Sequence, residues 1–503
     1  MRFILSRTLL LFVFALGWMH AEAQHRCITV QTADMEAQLQ RNKKNWDAIR
    51  TRSVPTFIPV TFHLVADSNG FGRPSEDLMY RALCILNQRF EISESEMFFY
   101  LKGFNNIDRT AIFSNPLPNG TLINSFRDNS SINIFIVDDI TQGTGGGTTL
   151  GYFSPNQDFL VMLKTSPGDP GYTMEHEIGH FFTLRHTHYG WEDEPISRGE
   201  FPDDKVNIAF LPGSSQTPPG RTVLIELQDG SNCETAGDLL CDTPPDYGVG
   251  FTCGCCRIPF PIRDSKCDTI TSHAQNVMSY SVGCDEFEFT EDQITAMQAS
   301  YMSPQRAYLR TNITESVYRP VTDRVTTISP AAFETVEVFN DVLFEWEPVT
   351  NAEFYTITIN GEDFRSTEPQ FRMTGLEPGT GFNSYSVQAF GPFGGGCAGA
   401  DQIIFNTGNT SSTNELDFVD GISVFPNPVS NSQDLNIVFD SAASLNGEVI
   451  LYNMTGQIVS KTAERISAST NNFRISTQNL DQGLYILEIK TESGSITEKI
   501  IVE

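Results

Sequence analysis

The chain has 503 residues, 33 Lys plus Arg against 62 Asp plus Glu, and 10 cysteines. Its length suits two to four domains with separate cores. The acidic balance argues against a nucleic-acid partner and against an anionic membrane surface; it favours solubility and reads mostly as a solvated face.

The first predicted element is a secretory signal peptide over 1–23. Arg2 and Arg7 give the positive end, Leu9 to Leu16 the apolar run, and Ala21-Glu22-Ala23 the cleavage site before Gln24. The run is too short to span a membrane, and no other stretch is long enough. In an exported chain the cysteines point to disulfides. Between Ala33 and Arg50, Met35, Leu39, Trp46 and Ile49 stand among charges and predict a helix. Pro55 to Val65 is strand-like. Ser75 caps a predicted helix to Phe90 with Leu78, Ala82, Leu86 and Phe90 on one face. Ile132 to Val137 and Phe159 to Lys164 are predicted strands. Gly143 to Gly147 is a Gly-rich turn without the Lys-Ser/Thr ending of a phosphate loop.

His176-Glu177-Ile178-Gly179-His180 then opens the most informative segment, which continues to His186. On a helix His176 and His180 lie one turn apart on one face, so both imidazoles can grip one ion. Glu177, beside the first ligand, can reach a water on that ion as general base. His186 joins them only if the chain reverses after about Thr183. Three protein ligands leave a fourth position open, the mark of a catalytic rather than a structural Zn²⁺ site.

About ninety residues later, Asn276-Val277-Met278-Ser279-Tyr280-Ser281 resembles the Met-turn of the metzincin metalloproteases. Within that clan the chain resembles the pappalysin family, including its cytophagalysin-like members. Ile58-Pro59-Val60-Thr61-Phe62-His63-Leu64 is similar to the first strand. Leu150-Gly151-Tyr152-Phe153 is similar to the segment before the edge strand, and Asp238 to Pro245 to the G-D-x-x-x-D-T-P block. Phe289-Thr290 with Gln293 and Met297 follows the Met-turn at the family's spacing. The likeness spans roughly 55 to 305. It implies one catalytic zinc on His176, His180 and His186, Glu177 as base, Met278 as structural floor, and Tyr280 as a donor to the oxyanion. Simple packing is the alternative for Tyr280. An edge strand before the zinc helix would bind extended substrate by backbone pairing. The family has Gly where this chain has Thr183, and a β-branched residue enters left-handed backbone only at a cost. His188 fits the pattern less well than His186, and His63 and His273 read as packed or surface residues.

Seven cysteines, Cys233, Cys241, Cys253, Cys255, Cys256, Cys267 and Cys284, crowd the segment around the Met-turn, where disulfides would hold a cleft wall. Cys27, in His25-Arg26-Cys27-Ile28-Thr29, lies apart from them. Pappalysin precursors resemble this start, and there the thiol can occupy the open zinc position, making 24–54 a pro-segment. An ordinary disulfide with Cys84 or Cys397 is the alternative. Asp238 and Asp242 suit a structural Ca²⁺; a capped turn explains them equally.

Past residue 310 the composition shifts to short strands and turns. Phe344-Glu345-Trp346, Phe354 to Ile359, Leu376-Glu377-Pro378-Gly379-Thr380 and Tyr385 to Ala389 resemble a fibronectin type III sandwich over 320–407; it reads as a spacer or as a binding module. A polar linker, 408–417, follows. Val424-Phe425-Pro426-Asn427-Pro428, Leu451 to Gln457, Leu480 to Leu487 and Lys499 to Val502 resemble the C-terminal sorting domain of the type IX secretion system, here 418–503. That implies contact with the secretion machinery and a product released or kept at the cell surface. The expected architecture is α+β: a metzincin-type catalytic domain over 55–310, then two small all-β sandwiches. The expected function is zinc-dependent hydrolysis of protein or peptide substrates. The alternative is a non-catalytic surface adhesin on the same scaffold.

Overall fold

The computed structural model describes residues 26–50, 54–140, 149–167, 172–193, 201–249, 256–281, 284–336, 341–376, 382–408, 419–430, 433–491 and 494–503. The signal peptide, the Gly143–Gly147 turn, Cys253, Cys255, residues 377–380 and nearly all of the 408–417 linker lie outside them.

The first sheet has six strands: β1 (Arg26–Cys27), β2 (Thr56–Ala66), β3 (Met97–Asp108), β4 (Ile132–Val137), β5 (Thr149–Ser154) and β6 (Phe159–Leu163). They are ordered β1-β5-β6-β4-β2-β3, so the strand at Phe159–Leu163, expected at the edge, is internal, and Thr149–Ser154 lies outside it because it pairs antiparallel on the far side. β2 runs parallel to β3 and β4, and β4 parallel to β6, whereas β5 is antiparallel to β6. Buried residues run almost unbroken along β2 and β4, as parallel strands covered on both faces require. The helices are α1 (Ala33–Lys43), α2 (Trp46–Arg50), α3 (Glu76–Ile92), the short α4 (Thr110–Ser114) and α5 (Gly120–Asn124), α6 (Thr173–Phe181) and α7 (Glu291–Met302). Ser75 caps α3 by accepting the Leu78 amide, and Thr290 and Gln293 form a capping box on α7. The helix expected over Ala33–Arg50 is broken in two. The Asn45 amide turns back to the Asn42 carbonyl, and Trp46 then lies beneath Lys43 and Arg50.

α1 and α2 do not form a separate unit. Met35, Leu39 and Trp46 share one core with Ile178 and Phe181 of α6, Met278, and Met297 of α7.

A sandwich follows. One face is β9 (Thr327–Ser329), β11 (Val342–Trp346) and β14 (Gln370–Met373). The other is β10 (Thr335–Val336), β12 (Phe354–Ile359), β13 (Glu362–Ser366), β15 (Phe382–Gly391), β16 (Gly394–Gly395) and β17 (Ile403–Thr407). Phe344, Trp346, Ile357, Tyr385 and Phe405 fill the space between. This module is fastened to the first domain. Cys84 of α3 is bonded to Cys397, the Asn87 side-chain amide donates to the Phe393 carbonyl at 3.0 Å, and the Leu101 amide donates to the Pro392 carbonyl at 2.7 Å. A last sandwich, β18 to β24 (Val419–Val502), closes around Val429, Ile437, Leu451 and Leu487. Among the described residues, no helix is long and apolar enough to cross a membrane.

Candidate metal centre

α6 carries His176, Glu177 and His180 into the interior, where all three are buried. The helix stops at Phe181. Thr183 then takes φ +80°, the Thr183 amide donates to the His180 carbonyl, and the Leu184 amide reaches back to Gly179. The reversal, for which a Gly was expected, is therefore made here by a buried Thr, at a cost of about 1–2 kcal/mol. It returns His186 to the helix face. The Nε2 atoms of His176, His180 and His186 stand 3.0–3.1 Å apart, aimed at one point.

Each ring's other nitrogen is engaged. His176 Nδ1 donates to the Val277 carbonyl at 2.7 Å, and His180 Nδ1 to the Leu184 carbonyl at 2.9 Å. His186 Nδ1 faces Glu192 Oε1 at 3.3 Å, while Glu192 Oε2 accepts the Gly190 amide. These contacts place the proton on Nδ1 and leave three Nε2 lone pairs converging. Burial, then the neighbouring His186, lowers His176 to about 3, and the same causes hold His180 well below its ordinary value. Neutral imidazoles with free Nε2 fit a Zn²⁺ ion.

The fourth group at the cluster is Cys27. Its sulfur and the three His nitrogens all lie within 4.8 Å of one another, and among the described residues this is the one such metal-ligand cluster. Cys27 forms no disulfide; its alternative partners Cys84 and Cys397 are bonded to each other. Burial, then the facing Glu177 carboxylate, raises the Cys27 thiol well above its usual range. A divalent ion at the cluster would reverse that by coordinating the thiolate.

Residues around Cys27 reach the rest of the site. β1 pairs in parallel with β5, Arg26 opposite Thr149 and Cys27 opposite Gly151. The Thr29 hydroxyl donates to Glu177 Oε2 at 2.9 Å and accepts the Phe153 amide at 2.8 Å. Burial raises Glu177 to about 7, with the bonds from Cys27 and Thr29 opposing. The Gln31 amide group donates to the Leu184 carbonyl at 2.6 Å and lies 3.2 Å from His180 Nδ1. The Tyr280 hydroxyl donates to the Cys27 carbonyl at 3.0 Å.

Met278 lies beneath α6, fully buried. A Cβ on Gly179 would stand 2.4 Å from its sulfur, so the Gly between the two helical ligands is what admits the floor. Asn276 and Gln293 exchange side-chain amide bonds and tie this turn to α7. Asp246 accepts the Thr187 and Ser279 hydroxyls and so binds the turn to the loop after His186.

Asp238 and Asp242 are not brought to a common point. Asp238 accepts the Leu240 amide and the Thr243 hydroxyl within its own turn, and Asp242 accepts the Thr290 hydroxyl and the Asp292 amide at the start of α7. This is the capped-turn arrangement. Burial raises the Asp238 carboxyl above its usual range. His188 stacks on His186 at 4.7 Å, its Nδ1 3.9 Å from Asp246. His63 is packed flat on Phe135 with Asn133 on its Nε2, and His273 pairs with Glu288 at 3.0 Å. Two of the crowded cysteine pairs close locally, Cys233–Cys241 and Cys256–Cys284, while Cys267 is free and exposed. Sequence reasoning missed Glu192 and Gln216. Both sit in aperiodic loop, and the only trace of Glu192 was a carboxylate six residues past the third His.

Residues 423–503 match the secretion system C-terminal sorting domain family. A sorting domain of this kind marks the chain for export, to the cell surface or beyond, and for contact with the type IX machinery. No curated protein matches the chain. Among solved structures, dimeric latent PorU from Porphyromonas gingivalis is similar at 16% identity and TM-score 0.15, over 35% of this chain and 19% of that one. The FN1–FN3 domains of chicken CNTN1 are similar at 12% identity and TM-score 0.15, over 37% of this chain and 69% of that one. Fibronectin(III)-like modules of Clostridium thermocellum CbhA are similar at 11% identity and TM-score 0.15, over 35% and 92%. Fibronectin type III structures are thus among the neighbours of this mixed, multi-sheet chain.

Proposed function

We propose that the chain is an exported zinc-dependent endopeptidase, held latent by its own N-terminal segment. One observation carries this reading. Three buried imidazole nitrogens converge, a carboxylate stands beside them, and a free cysteine closes the remaining side.

His176, His180 and His186 would hold Zn²⁺, which supplies an acidified water and a polarised peptide carbonyl. Glu177, adjacent to the first ligand, takes a proton from the attacking water and returns it to the amine that leaves as the C–N bond breaks. The buried, water-poor setting strengthens that exchange. Tyr280, whose hydroxyl already donates to a backbone carbonyl, supports the negative charge that builds on the substrate carbonyl oxygen. The edge strand β5 aligns an extended peptide by main-chain bonds.

In the latent chain each of these parts is covered. Cys27 faces the ligand nitrogens, Thr29 bonds the base, β1 occupies the β5 edge, and the Cys27 carbonyl occupies the Tyr280 hydroxyl. The test is casein cleavage by the zinc-loaded full chain, before and after limited trypsin treatment that cuts the N-terminal segment. A Glu177→Ala copy is run beside it. The expected result is cleavage after trypsin by the native chain alone, with about one zinc in each protein. Adhesion that survives chelation, without cleavage in any sample, would contradict it.

A further inference from the structure

The N-terminal segment is gripped from two sides. β5 holds one edge, and the turn 213–217 holds the other. The Gln216 carbonyl accepts the Gln31 amide at 2.9 Å, and Gln216 Nε2 donates to the Cys27 carbonyl at 2.7 Å. The Tyr280 hydroxyl donates to that same carbonyl at 3.0 Å and lies 3.5 Å from Gln216 Nε2. Two donors from distant parts of the chain therefore converge on one main-chain oxygen beside the metal-ligand cluster. The amide's orientation follows from chemistry, since the atom facing a carbonyl must be the NH₂ group.

Gln216 is built in. Its side chain is nine-tenths buried. The turn is pinned by Asp193, which accepts both the Ser215 amide and the Ser215 hydroxyl at 2.5 Å. The Thr217 hydroxyl closes back onto the Ser214 carbonyl, and Gly213 sits at φ +85° with no room for a Cβ beside Arg221. Asp193 follows Glu192, so one short run braces both the third His and this turn. Gln216 Oε1 is buried and has no hydrogen-bond partner. A buried acceptor left unpaired is destabilising, and an N–H donor entering the cleft would relieve it.

We propose that Gln216 is a substrate-gripping residue of the cleft. In the processed enzyme its Nε2 takes a backbone carbonyl of the bound peptide next to the one that Tyr280 supports. Its Oε1 takes a peptide N–H. Both contacts are to main chain, so they recognise an extended polypeptide irrespective of side chains. The inference rests on the peptidase reading above and assigns the far lip of that same site. The carbonyl that Gln216 takes belongs to an amide that is not cleaved, as the Cys27 carbonyl is not, so the contact acts on ground-state binding and its loss appears in KM.

The test uses zinc-loaded, trypsin-processed full chain in native, Gln216→Leu and Gln216→Glu forms. Gln216→Glu keeps the shape and sets an acceptor against the substrate carbonyl. KM and kcat are measured on a casein-derived peptide. The dissociation constant of the same peptide, fluorescein-labelled, is measured in a Glu177→Ala background where no turnover occurs. The expected result is a rise of about tenfold in both KM and the dissociation constant for Gln216→Leu. The rise should be larger for Gln216→Glu, with zinc content and kcat close to native. Unchanged KM and peptide affinity in both variants would overturn the inference alone, as would a fall confined to kcat. Zinc-loaded protein in which no form cleaves or binds peptide would overturn the peptidase reading and this inference with it.

Discussion

Two parts of the chain are laid over the first domain, and they are fastened differently. The N-terminal segment reaches into the metal centre. Its contacts are polar and aimed at the working parts: Thr29 at Glu177, Gln31 at Leu184, and Glu36 at Arg185 at 2.7 Å. A two-residue strand, the bonds from Gln216 and Tyr280 to the Cys27 carbonyl, and three core side chains add to these. The β9–β17 sandwich instead lies against α3 and β3. It is held by a disulfide, by Asn87 and Leu101 on its backbone, and by Tyr80 against Phe354 and Phe390. The first has no disulfide and covers the His176, His180 and His186 cluster; the second is tied by a disulfide and covers none of the site residues. The difference suits the first to the removable stopper proposed above and the second to a permanent buttress.

The largest effect that would break this comparison is on catalysis. Glu177→Ala in the trypsin-processed chain should lower kcat by about a thousandfold or more while zinc is retained, because general base action is worth roughly 10²–10⁴. Paired Cys84→Ser and Cys397→Ser substitutions should leave processed activity within about twofold. They should lower unfolding free energy by about 2–4 kcal/mol, the usual contribution of one disulfide. Equal activity loss from both kinds of change would erase the distinction.

The first domain also carries a buried histidine that acid must charge. Burial lowers His63 to about 4 from 6.5. A histidine whose folded pKa is depressed gives stability that is full above pH 6.5 and is lost as pH falls toward 4, here up to about 3 kcal/mol. A His63→Gln chain should show a flatter stability profile between those pH values, read by urea unfolding. Gly179→Ala should cost about 2 kcal/mol by pressing a methyl onto the Met278 sulfur. Thr183→Gly, the smallest effect, should raise stability by about 1 kcal/mol by relieving the left-handed backbone at that residue, with zinc affinity unchanged.

What was legible in the sequence was local. The ligand spacing, the Ser75 cap, the strand at Ile132–Val137 and the strand alternation after residue 320 all depend on neighbours along the chain. Thr183 was read as a strain on the turn, and the turn forms with that strain in place. What was not legible depends on contacts across long separations. Nothing near Gln216 or Glu192 announces that each meets a partner brought in by the fold. β3 was overlooked because its exposure pattern is mixed, with one stretch of its length covered by the later module. The helix over Ala33–Arg50 was placed correctly by its apolar spacing, but its break at Lys44 and Asn45 follows from docking Trp46 into a core supplied by other elements.

The central claim is that the cluster binds zinc with Cys27 as its fourth ligand until the N-terminal segment is cut. Zinc K-edge absorption on the zinc-loaded full chain tests it most directly. The account predicts three nitrogen scatterers at about 2.0–2.1 Å and one sulfur at about 2.3 Å, with the sulfur replaced by oxygen after processing. A first shell without sulfur in the unprocessed chain, or one with sulfur that persists after the segment has gone, would contradict it.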